Sequence, residues 1–386
     1  MTKKFTRREF IKDAVKKGTA IAIVPGIFSS VTKAEHAIPS TEGLKEAMFY
    51  QTLDGGVMIE CMLEPRGCIV NNWERGYCGA KENRDGKYYS LVYSNPCTVY
   101  VEPIERENFY HILPGQQFLG IGTAGCNLEC KFCETWHISQ VRPEETETQN
   151  LTPEDAINLS REKDCRIIAF TYNEPVICYE YTLEIAKLAR KAGIKTICHT
   201  AGYIYPEPLK ALMENMDAVN VDLKGFSEDY YEEICGIEMS QVLESLKLIN
   251  RLSAEREKPL QLEITNLVVP GKNDSPEELS RMTAWIRENL GADIPLHFSR
   301  FFPNYQLMDI LATPLETLEK ARDIALSNGL NFVYLGNIPG HKYSSTYCPN
   351  CGTMLIDRSN SEVTRYNLDM KGKCSKCSYS ITGIWY

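Results

Sequence analysis

The chain has 386 residues, of which 43% are hydrophobic and 24% are charged, and its formal net charge at pH 7 is −9. This length is enough for one large domain with appendages, or for two to three domains with a sizeable core. The charge is uneven, because residues 1–33 carry a net charge of +6 and the rest of the chain carries −15. An acidic body of this kind argues against the nucleic-acid backbone as the main ligand, so we expect no nucleic-acid partner.

The first residues have the pattern of a targeting segment. Residues 6–12 (TRREFIK) contain the polar residue, arginine pair, phenylalanine, aliphatic residue and lysine of a twin-arginine export signal. The apolar stretch over residues 19–31 is too short to span a bilayer as a helix. We therefore expect residues 1–40 to be a signal segment and linker, with the membrane-export machinery as a partner and the periplasm or cell surface as the destination. A basic tail with no address function is the alternative, and it would leave the protein in the cytoplasm.

Fifteen cysteines are present, and their odd number and spacing indicate metal ligation rather than a disulfide framework. Cys126, Cys130 and Cys133 form a CxxxCxxC motif in a glycine-rich loop. Three thiolates from one loop can hold three irons of a 4Fe–4S cluster and leave the fourth iron open to a substrate or cofactor. A partial zinc site or unconnected core cysteines are the alternatives, although zinc sites usually use paired CxxC knuckles or histidine.

The body of the chain divides into three parts. They are a Cys- and Tyr-bearing N-terminal extension (41–115), a region of alternating strands and helices (116–342) and a small C-terminal module (343–386). The middle part contains predicted strands over residues 118–122, 166–171, 194–198, 218–222, 260–269, 294–299 and 331–335. This alternation predicts an α/β fold with a parallel sheet. Six to seven strands fit a partial (β/α) barrel whose strand ends build the active site.

The helices between the strands have clear start and stop signals. Three of them are predicted to begin with a capping hydroxyl that precedes a proline, at Thr152, Ser275 and Thr313. Helices are predicted to stop at Gly193, Gly291 and Gly329, because glycine adopts the left-handed conformation that ends a helix.

With the aromatic Phe132 directly before its third cysteine, the CxxxCxxC motif resembles that of the radical S-adenosylmethionine (SAM) superfamily, over roughly residues 110–342. The resemblance implies that the open iron binds SAM and that an electron from the reduced cluster cleaves it. The resulting 5′-deoxyadenosyl radical would abstract a hydrogen atom from a substrate. An electron donor such as flavodoxin or ferredoxin is the implied partner.

The same resemblance assigns candidate SAM-binding residues. Glu174 lies where family members carry a glutamate that grips the methionine ammonium, although the two glycines before it are Tyr172 and Asn173 here. Asp222 and Lys224 match the Asp-x-Lys of pyruvate formate-lyase activating enzymes, where these residues contribute to the SAM-binding face. A surface turn at Glu174 and a solvated Asp222–Lys224 pair are the alternatives. Phe132 suits stacking against the adenine.

A closer resemblance is to the radical SAM member of the AmmeMemoRadiSam set, which looks like an activating enzyme with an N-terminal extension. Residues 110–115 (YHILPG) and 133–136 (CETW) carry it. In the extension the family tends to have four cysteines, and here Glu64 replaces one of them beside Cys61, Cys68 and Cys78. These residues could still bind zinc or iron, or they could be a structural remnant.

The C-terminal module contains two CxxC knuckles separated by 22 residues: Cys348, Cys351, Cys374 and Cys377. This spacing is typical of zinc-ribbon and rubredoxin-like tetrathiolate sites. Structural zinc is the first interpretation, and a mononuclear iron that relays electrons is its rival. A module of this size could not fold on apolar burial alone, so the metal would supply much of its stability.

The sequence therefore predicts a radical SAM enzyme that abstracts hydrogen from an unidentified substrate. A glycine in a partner protein is one candidate substrate, as for a glycyl-radical-enzyme activase. An exported iron–sulfur electron carrier that never cleaves SAM is the alternative. A third reading, in which the C-terminal module binds protein or nucleic acid, conflicts with the acidic charge. His199, at a predicted strand end, is interpreted as structural rather than catalytic.

Overall fold

The structure is a computed structural model that describes residues 41, 43–258 and 260–386. The predicted signal segment, residues 1–40, lies outside the described residues. Within the part that is described, no helix has the length and apolar character needed to cross a membrane.

The N-terminal extension is built from short antiparallel strands in two small sheets. The strands are β1 (Lys45–Glu46), β2 (Tyr50–Leu53), β3 (Met58–Cys61), β4 (Ile69–Val70), β5 (Lys81–Arg84) and β6 (Lys87–Ser90). One sheet has the order β2-β3-β4 and the other has the order β1-β6-β5. A buried ion pair between Lys81 and Glu180, at 2.8 Å, connects the extension to the next part of the chain. Breaking such a pair is costly, because the remaining charge stays buried without a partner.

The largest sheet has eight strands and is mostly parallel. Its strands are β7 (Thr98–Pro103), β8 (Gln117–Gly122), β9 (Ile167–Phe170), β10 (Lys195–Thr200), β11 (Ala218–Asp222), β12 (Gln261–Val268), β13 (Leu296–Arg300) and β14 (Val333–Gly336). They follow one another in chain order across the sheet, and only the β7–β8 pair is antiparallel. All seven predicted strands are present, with ends shifted by two residues or fewer. The predicted α/β class and parallel sheet are confirmed, and β7 and β14 are the open edges.

Helices connect the parallel strands. They are α1 (Trp136–Ser139), α2 (Pro153–Glu162), α3 (Tyr179–Ala192), α4 (Pro206–Met213), α5 (Glu228–Tyr230), α6 (Met239–Glu255), α7 (Pro276–Asn289) and α8 (Leu315–Ser327). Two predicted caps are confirmed, since the hydroxyls of Thr152 and Ser275 accept hydrogen bonds from backbone N–H groups in the first turns of α2 and α7.

The predicted cap at Thr313 is wrong. α8 begins at Leu315, and the Thr313 hydroxyl does not bond to its first turn. Instead, that hydroxyl donates to the carbonyl of Val268 at 2.6 Å and accepts from the N–H of Phe301 at 2.9 Å. Its hydrogen-bonding capacity is used at the ends of β12 and β13, so Thr313 holds two neighbouring strands together rather than capping a helix.

The C-terminal module carries a three-stranded sheet of β15 (Thr346–Tyr347), β16 (Met354–Ser359) and β17 (Glu362–Tyr366). The buried Arg358 ties this sheet to the main body, because its guanidinium donates to the carbonyl of Tyr110 at 2.8 Å and lies 3.5 Å from Glu105. The last residues add backbone bonds, from Leu113 N to Ile384 O and from Ile384 N to His111 O. The module is therefore packed against the main sheet.

Candidate active site at the ends of the parallel strands

The loop that carries the CxxxCxxC motif leaves β8 through a backbone turn that requires glycine. Gly125 has a φ of +94°, and a Cβ added there would lie 2.2 Å from the carbonyl oxygen of Cys78. Asn173 holds the same turn, because its amide donates to Gly125 O at 2.9 Å and its Oδ1 accepts from Thr123 N at 3.1 Å. Asn173, one of the departures from the family pattern, thus anchors the loop.

The three cysteines of the motif lie on this short loop with unequal burial. Cys130 is buried, whereas Cys126 and Cys133 are partly exposed. The Cys133 thiol lies 3.2 Å from the Ser139 hydroxyl. A hydrogen bond from the adjacent Cys235 thiol lowers the pKa of Cys130 despite burial. Three thiols from one loop, none of them in a disulfide, fit the donor set that a 4Fe–4S cluster needs.

A π-helical turn, Tyr231–Cys235, supports the other side of the loop. The N–H of Glu129 donates to the carbonyl of Cys235 at 3.1 Å, and the N–H of Lys131 donates to the carbonyl of Ile234 at 2.9 Å. Turns of this kind often occur at functional sites, because they widen the helix and redirect its carbonyls. Here the redirected carbonyls fix the backbone on both sides of Cys130.

Glu174 is buried just after β9, at the end of the sheet that also carries the cysteine loop. Its carboxylate accepts hydrogen bonds from Thr200 Oγ1 at 2.6 Å, from Ala201 N at 2.8 Å and from Val176 N at 3.2 Å. Burial raises the pKa of Glu174, and these hydrogen bonds together with the charge of Lys224 oppose that rise. A buried carboxylate in this position suits a cationic ligand, because an ammonium would offset the cost of burying its charge.

Asp222 and Lys224, at and just after the end of β11, form an ion pair of 2.8 Å. His199 lies on the other side of Asp222, with Nε2 at 2.9 Å from its carboxylate and Nδ1 at 3.3 Å from Glu107. Glu107 in turn accepts from the hydroxyl of Thr171 at 2.6 Å. The result is one connected chain of polar groups that runs across the ends of β9, β10 and β11.

This chain of groups shifts the pKa values of its members. Burial disfavours the charged form of each, yet the two cations Lys224 and His199 hold the pKa of Asp222 well below its usual range. In the same way, Asp222 and Glu107 outweigh burial and raise the pKa of His199 to about 10. We therefore expect His199 to be charged at neutral pH, with the network offering both acceptors and donors to a ligand.

Phe132 connects the cysteine loop with this network. The side chain is buried, and the Lys224 ammonium lies 5.6 Å from the centre of its ring. The structure thus brings the predicted residues Phe132, Asp222 and Lys224 into one neighbourhood, and Lys224 also acts electrostatically on Cys130 and Glu174.

Glu107 belongs to the site although the sequence around it does not indicate this. This residue lies in a 3₁₀ turn, Ile104–Glu107, in the chain between β7 and β8. It is far in sequence from Thr171 and His199, and no motif or helix signal surrounds it. The hydrogen bonds of its carboxylate with Thr171 and His199 show that it reaches the site. His199 was also interpreted as structural, and its contact with Asp222 places it beside a candidate SAM-binding residue.

The four cysteines of the C-terminal module form a separate group. Their sulfur atoms all lie within 4.8 Å of one another, with Cys348 and Cys377 at 3.5 Å and Cys351 and Cys374 at 3.7 Å. Zinc–sulfur bonds of about 2.3 Å in a tetrahedron place the sulfurs about 3.8 Å apart. These four thiols could therefore hold a single metal ion.

The chain is similar to known proteins along most of its length. An uncharacterised protein from Methanocaldococcus jannaschii is 40% identical over 339 residues, which cover 88% of this chain and 99% of that protein. The pyruvate formate-lyase-activating enzyme of Clostridium pasteurianum is 24% identical over 215 residues, which cover 51% of this chain and 84% of that enzyme. The profile of the Radical SAM superfamily matches residues 121–283. The chain belongs to the radical SAM superfamily. Among solved structures, a radical SAM methyltransferase from Sphaerobacter thermophilus is 14% identical, with 76% of each chain covered and a TM-score of 0.46.

The residues matched by the family profile include most of the candidate site. They contain the cysteine loop, Glu174 and the Asp222–Lys224 pair. Membership of the superfamily implies a 4Fe–4S cluster and SAM as cofactors and indicates that this radical SAM protein is an enzyme. The four C-terminal cysteines lie beyond the matched residues, so membership of the superfamily does not identify the metal that they would bind.

Proposed function

We propose that this radical SAM protein cleaves SAM reductively and uses the 5′-deoxyadenosyl radical to abstract hydrogen from a substrate. Cys126, Cys130 and Cys133 would hold the 4Fe–4S cluster, which when bound supplies the electron for cleavage. The observation that carries the proposal is the position of this loop. It follows β8 directly, and Phe132 within it lies against Lys224 at the end of β11.

The remaining residues would bind and orient SAM. Glu174 presents a buried carboxylate for the methionine ammonium, and its three hydrogen bonds fix its direction. Asp222 and Lys224 offer an acceptor and a donor for the hydroxyl and carboxylate groups of SAM. Phe132 offers an aromatic face for the adenine. Holding these groups in place in advance reduces the reorganisation that binding requires.

We also propose a substrate class, on the basis of the relatives. The similarity to pyruvate formate-lyase-activating enzymes supports a glycine in a partner protein as the hydrogen donor. Membership of the AmmeMemoRadiSam set, a zinc ion in the C-terminal module and export through residues 1–40 belong to the same proposal. A flavodoxin or ferredoxin would deliver the electron.

The second candidate function is an iron–sulfur electron carrier that does not cleave SAM. The four C-terminal thiols favour it, because a mononuclear iron bound there could relay electrons. The polar groups at the strand ends argue against this function. Electron transfer alone does not require a buried carboxylate such as Glu174, which Thr200 and Ala201 hold in place by hydrogen bonds.

The deciding experiment is anaerobic incubation of the reconstituted, reduced protein with SAM, followed by chromatographic detection of 5′-deoxyadenosine. We expect 5′-deoxyadenosine from the native chain and none from the Cys126→Ser variant. A matched control is Cys165→Ser, which removes a cysteine from outside the motif. Reversible reduction of the native protein without any 5′-deoxyadenosine would support the carrier instead.

A further inference from the structure

Three further cysteines, all in the N-terminal extension, come together although they lie on different segments. Cys61 ends β3, Cys68 directly precedes β4, and Cys78 precedes β5. The N–H of Cys61 donates to the carbonyl of Cys68 at 2.9 Å, and the N–H of Tyr77 donates to the Cys68 sulfur at 3.5 Å. The small sheet and the turn before β5 therefore bring the three segments together.

The buried Glu64 joins the three thiols. Its side chain is buried, and it lies in the turn between Cys61 and Cys68, where the N–H of Gly67 donates to the Glu64 carbonyl at 3.1 Å. The phenol of Tyr88, which is fully buried, lies within electrostatic reach of all four groups. The four groups consequently share one neighbourhood of the fold.

Glycine makes room at this position. A Cβ on Gly76 would lie 2.3 Å from the Tyr88 hydroxyl and 3.9 Å from the Cys68 Cβ. The Tyr88 hydroxyl thus lies where the Cβ of any other residue at position 76 would have to go, and Cys68 lies at ordinary contact distance from the same point. Three cysteines cannot all pair with one another in disulfide bonds, and all three thiols are free. Disulfide bonding therefore does not explain why they lie in one place.

Nearby cations do not occupy the Glu64 carboxylate. The guanidinium of Arg66 donates to the carbonyls of Asn127 and Gly236, at 2.7 Å and 2.6 Å, while only its backbone N–H reaches Glu64, at 3.1 Å. The ammonium of Lys81 is engaged by Glu180 at 2.8 Å. A buried carboxylate beside three thiols is a donor set for iron or zinc.

The spacing of the donors argues against a single tetrahedral metal ion in the extension. Among the residues that the structure describes, only the C-terminal cysteines have donor atoms that all lie within 4.8 Å of one another. The extension set does not have this spacing, and neither does the set of Cys126, Cys130 and Cys133. Wider spacing suits a cluster, in which each ligand binds a different iron, rather than one tetrahedral ion.

We propose that Cys61, Cys68 and Cys78, with Glu64 as the fourth ligand, bind a second 4Fe–4S cluster beside the loop that carries the first. The carbonyl of Cys78 packs directly against Gly125, the residue before Cys126. Cys78 and Cys126 also line one cavity of about 710 Å³. This proposal concerns metal binding alone and does not depend on SAM cleavage.

The first test is iron and acid-labile sulfide in the native full-length chain after anaerobic reconstitution. Two clusters correspond to about eight sulfides per chain, whereas the motif cluster alone corresponds to about four. Sulfide is the useful measure, because a mononuclear metal in the C-terminal module contributes none. A saturating content of about four sulfides would overturn the proposal, and so would zinc bound at the extension cysteines.

The second test isolates the extension. In a variant with Cys126, Cys130 and Cys133 all changed to serine, we expect about four sulfides per chain and a cluster absorption band to remain. Adding Cys61→Ser, Cys68→Ser and Cys78→Ser should remove both, while the control pair Cys97→Ser and Cys165→Ser should leave the native content unchanged. Glu64→Cys should retain the cluster and alter its electron paramagnetic resonance spectrum. Absence of sulfide from the first variant, with unchanged circular dichroism, would contradict the proposal.

Discussion

His199 Nε2 lies 2.9 Å from a carboxylate oxygen of Asp222, and the ammonium of Lys224 bonds to the other oxygen of the same carboxylate at 2.8 Å. One buried carboxylate is therefore shared between two cations at the ends of β10 and β11. Such an arrangement makes the charges of the site depend on one another, because removing one partner leaves an uncompensated charge with little access to water.

The first prediction concerns the pH dependence of stability. The fold raises the pKa of His199 from 6.5 to about 10, through Asp222 and Glu107 and against the effect of burial. Because the folded pKa exceeds the unfolded one, this stabilisation is fully present below about pH 6.5 and is lost as the pH rises through about 10. The free energy of unfolding should fall across this range, and His199→Gln should reduce the slope.

Urea unfolding at successive pH values measures this effect. Below about pH 6.5, His199→Gln should cost about 1.5–3 kcal/mol, the usual range for hydrogen bonds to a charged group. The exposed His137 supplies the control, since His137→Gln should leave the slope unchanged. Equal slopes for the native protein and His199→Gln would show that His199 is not charged in the fold.

The second prediction concerns SAM binding at Glu174. Replacing Glu174 by Gln keeps the side chain's size but removes the charge that the methionine ammonium would meet. The loss of one charge-assisted hydrogen bond of about 1.5–3 kcal/mol corresponds to a Kd for SAM that is roughly 10- to 150-fold weaker. Calorimetry on the cluster-loaded protein measures the Kd, with the exposed Glu162→Gln as the matched control. An unchanged Kd in Glu174→Gln would rule out this role.

The third prediction tests the turn that carries the cysteine loop. Gly125→Ala combines an unfavourable φ with a contact of 2.2 Å to the Cys78 carbonyl, whereas Gly271 has a similar positive φ and nothing within 4 Å of an added Cβ. Gly271→Ala should therefore cost about 1–2 kcal/mol of unfolding free energy, the strain alone. Gly125→Ala should cost more and should also lower iron incorporation by the loop. Iron analysis and urea unfolding measure the two effects, and identical behaviour of the two variants would refute the importance of the contact.

The fourth prediction concerns metal removal from the C-terminal module. If a metal ion stabilises this module, the double variant Cys348→Ser and Cys374→Ser should lose about one metal ion per chain. Amide hydrogen exchange should then increase over β15, β16 and β17, while the cluster absorption of the main body persists. Metal analysis and exchange mass spectrometry check both points. Unchanged exchange over the module would mean that Arg358 and the packing on Tyr110 hold it without metal.

Local signals in the sequence predicted much of this fold. Thr152 and Ser275 each precede a proline and acidic residues, and a helix begins directly after each of them, as predicted. The sequence predicts such a cap because it involves only neighbouring residues. The parallel strands were found within two residues of their ends, because runs of buried apolar residues between helices are themselves local patterns. The cysteine loop was recognised for the same reason, with all three thiols inside eight residues.

Only the tertiary structure decided which distant groups meet. Thr313 precedes a proline as a helix cap does, yet its hydroxyl forms hydrogen bonds at the ends of two strands instead. Glu107 reaches His199 across 92 positions of sequence, and Asn173 anchors a loop that begins about 50 residues before it. The physical reason is that strand order and register set these contacts, and the packing of the whole sheet determines both.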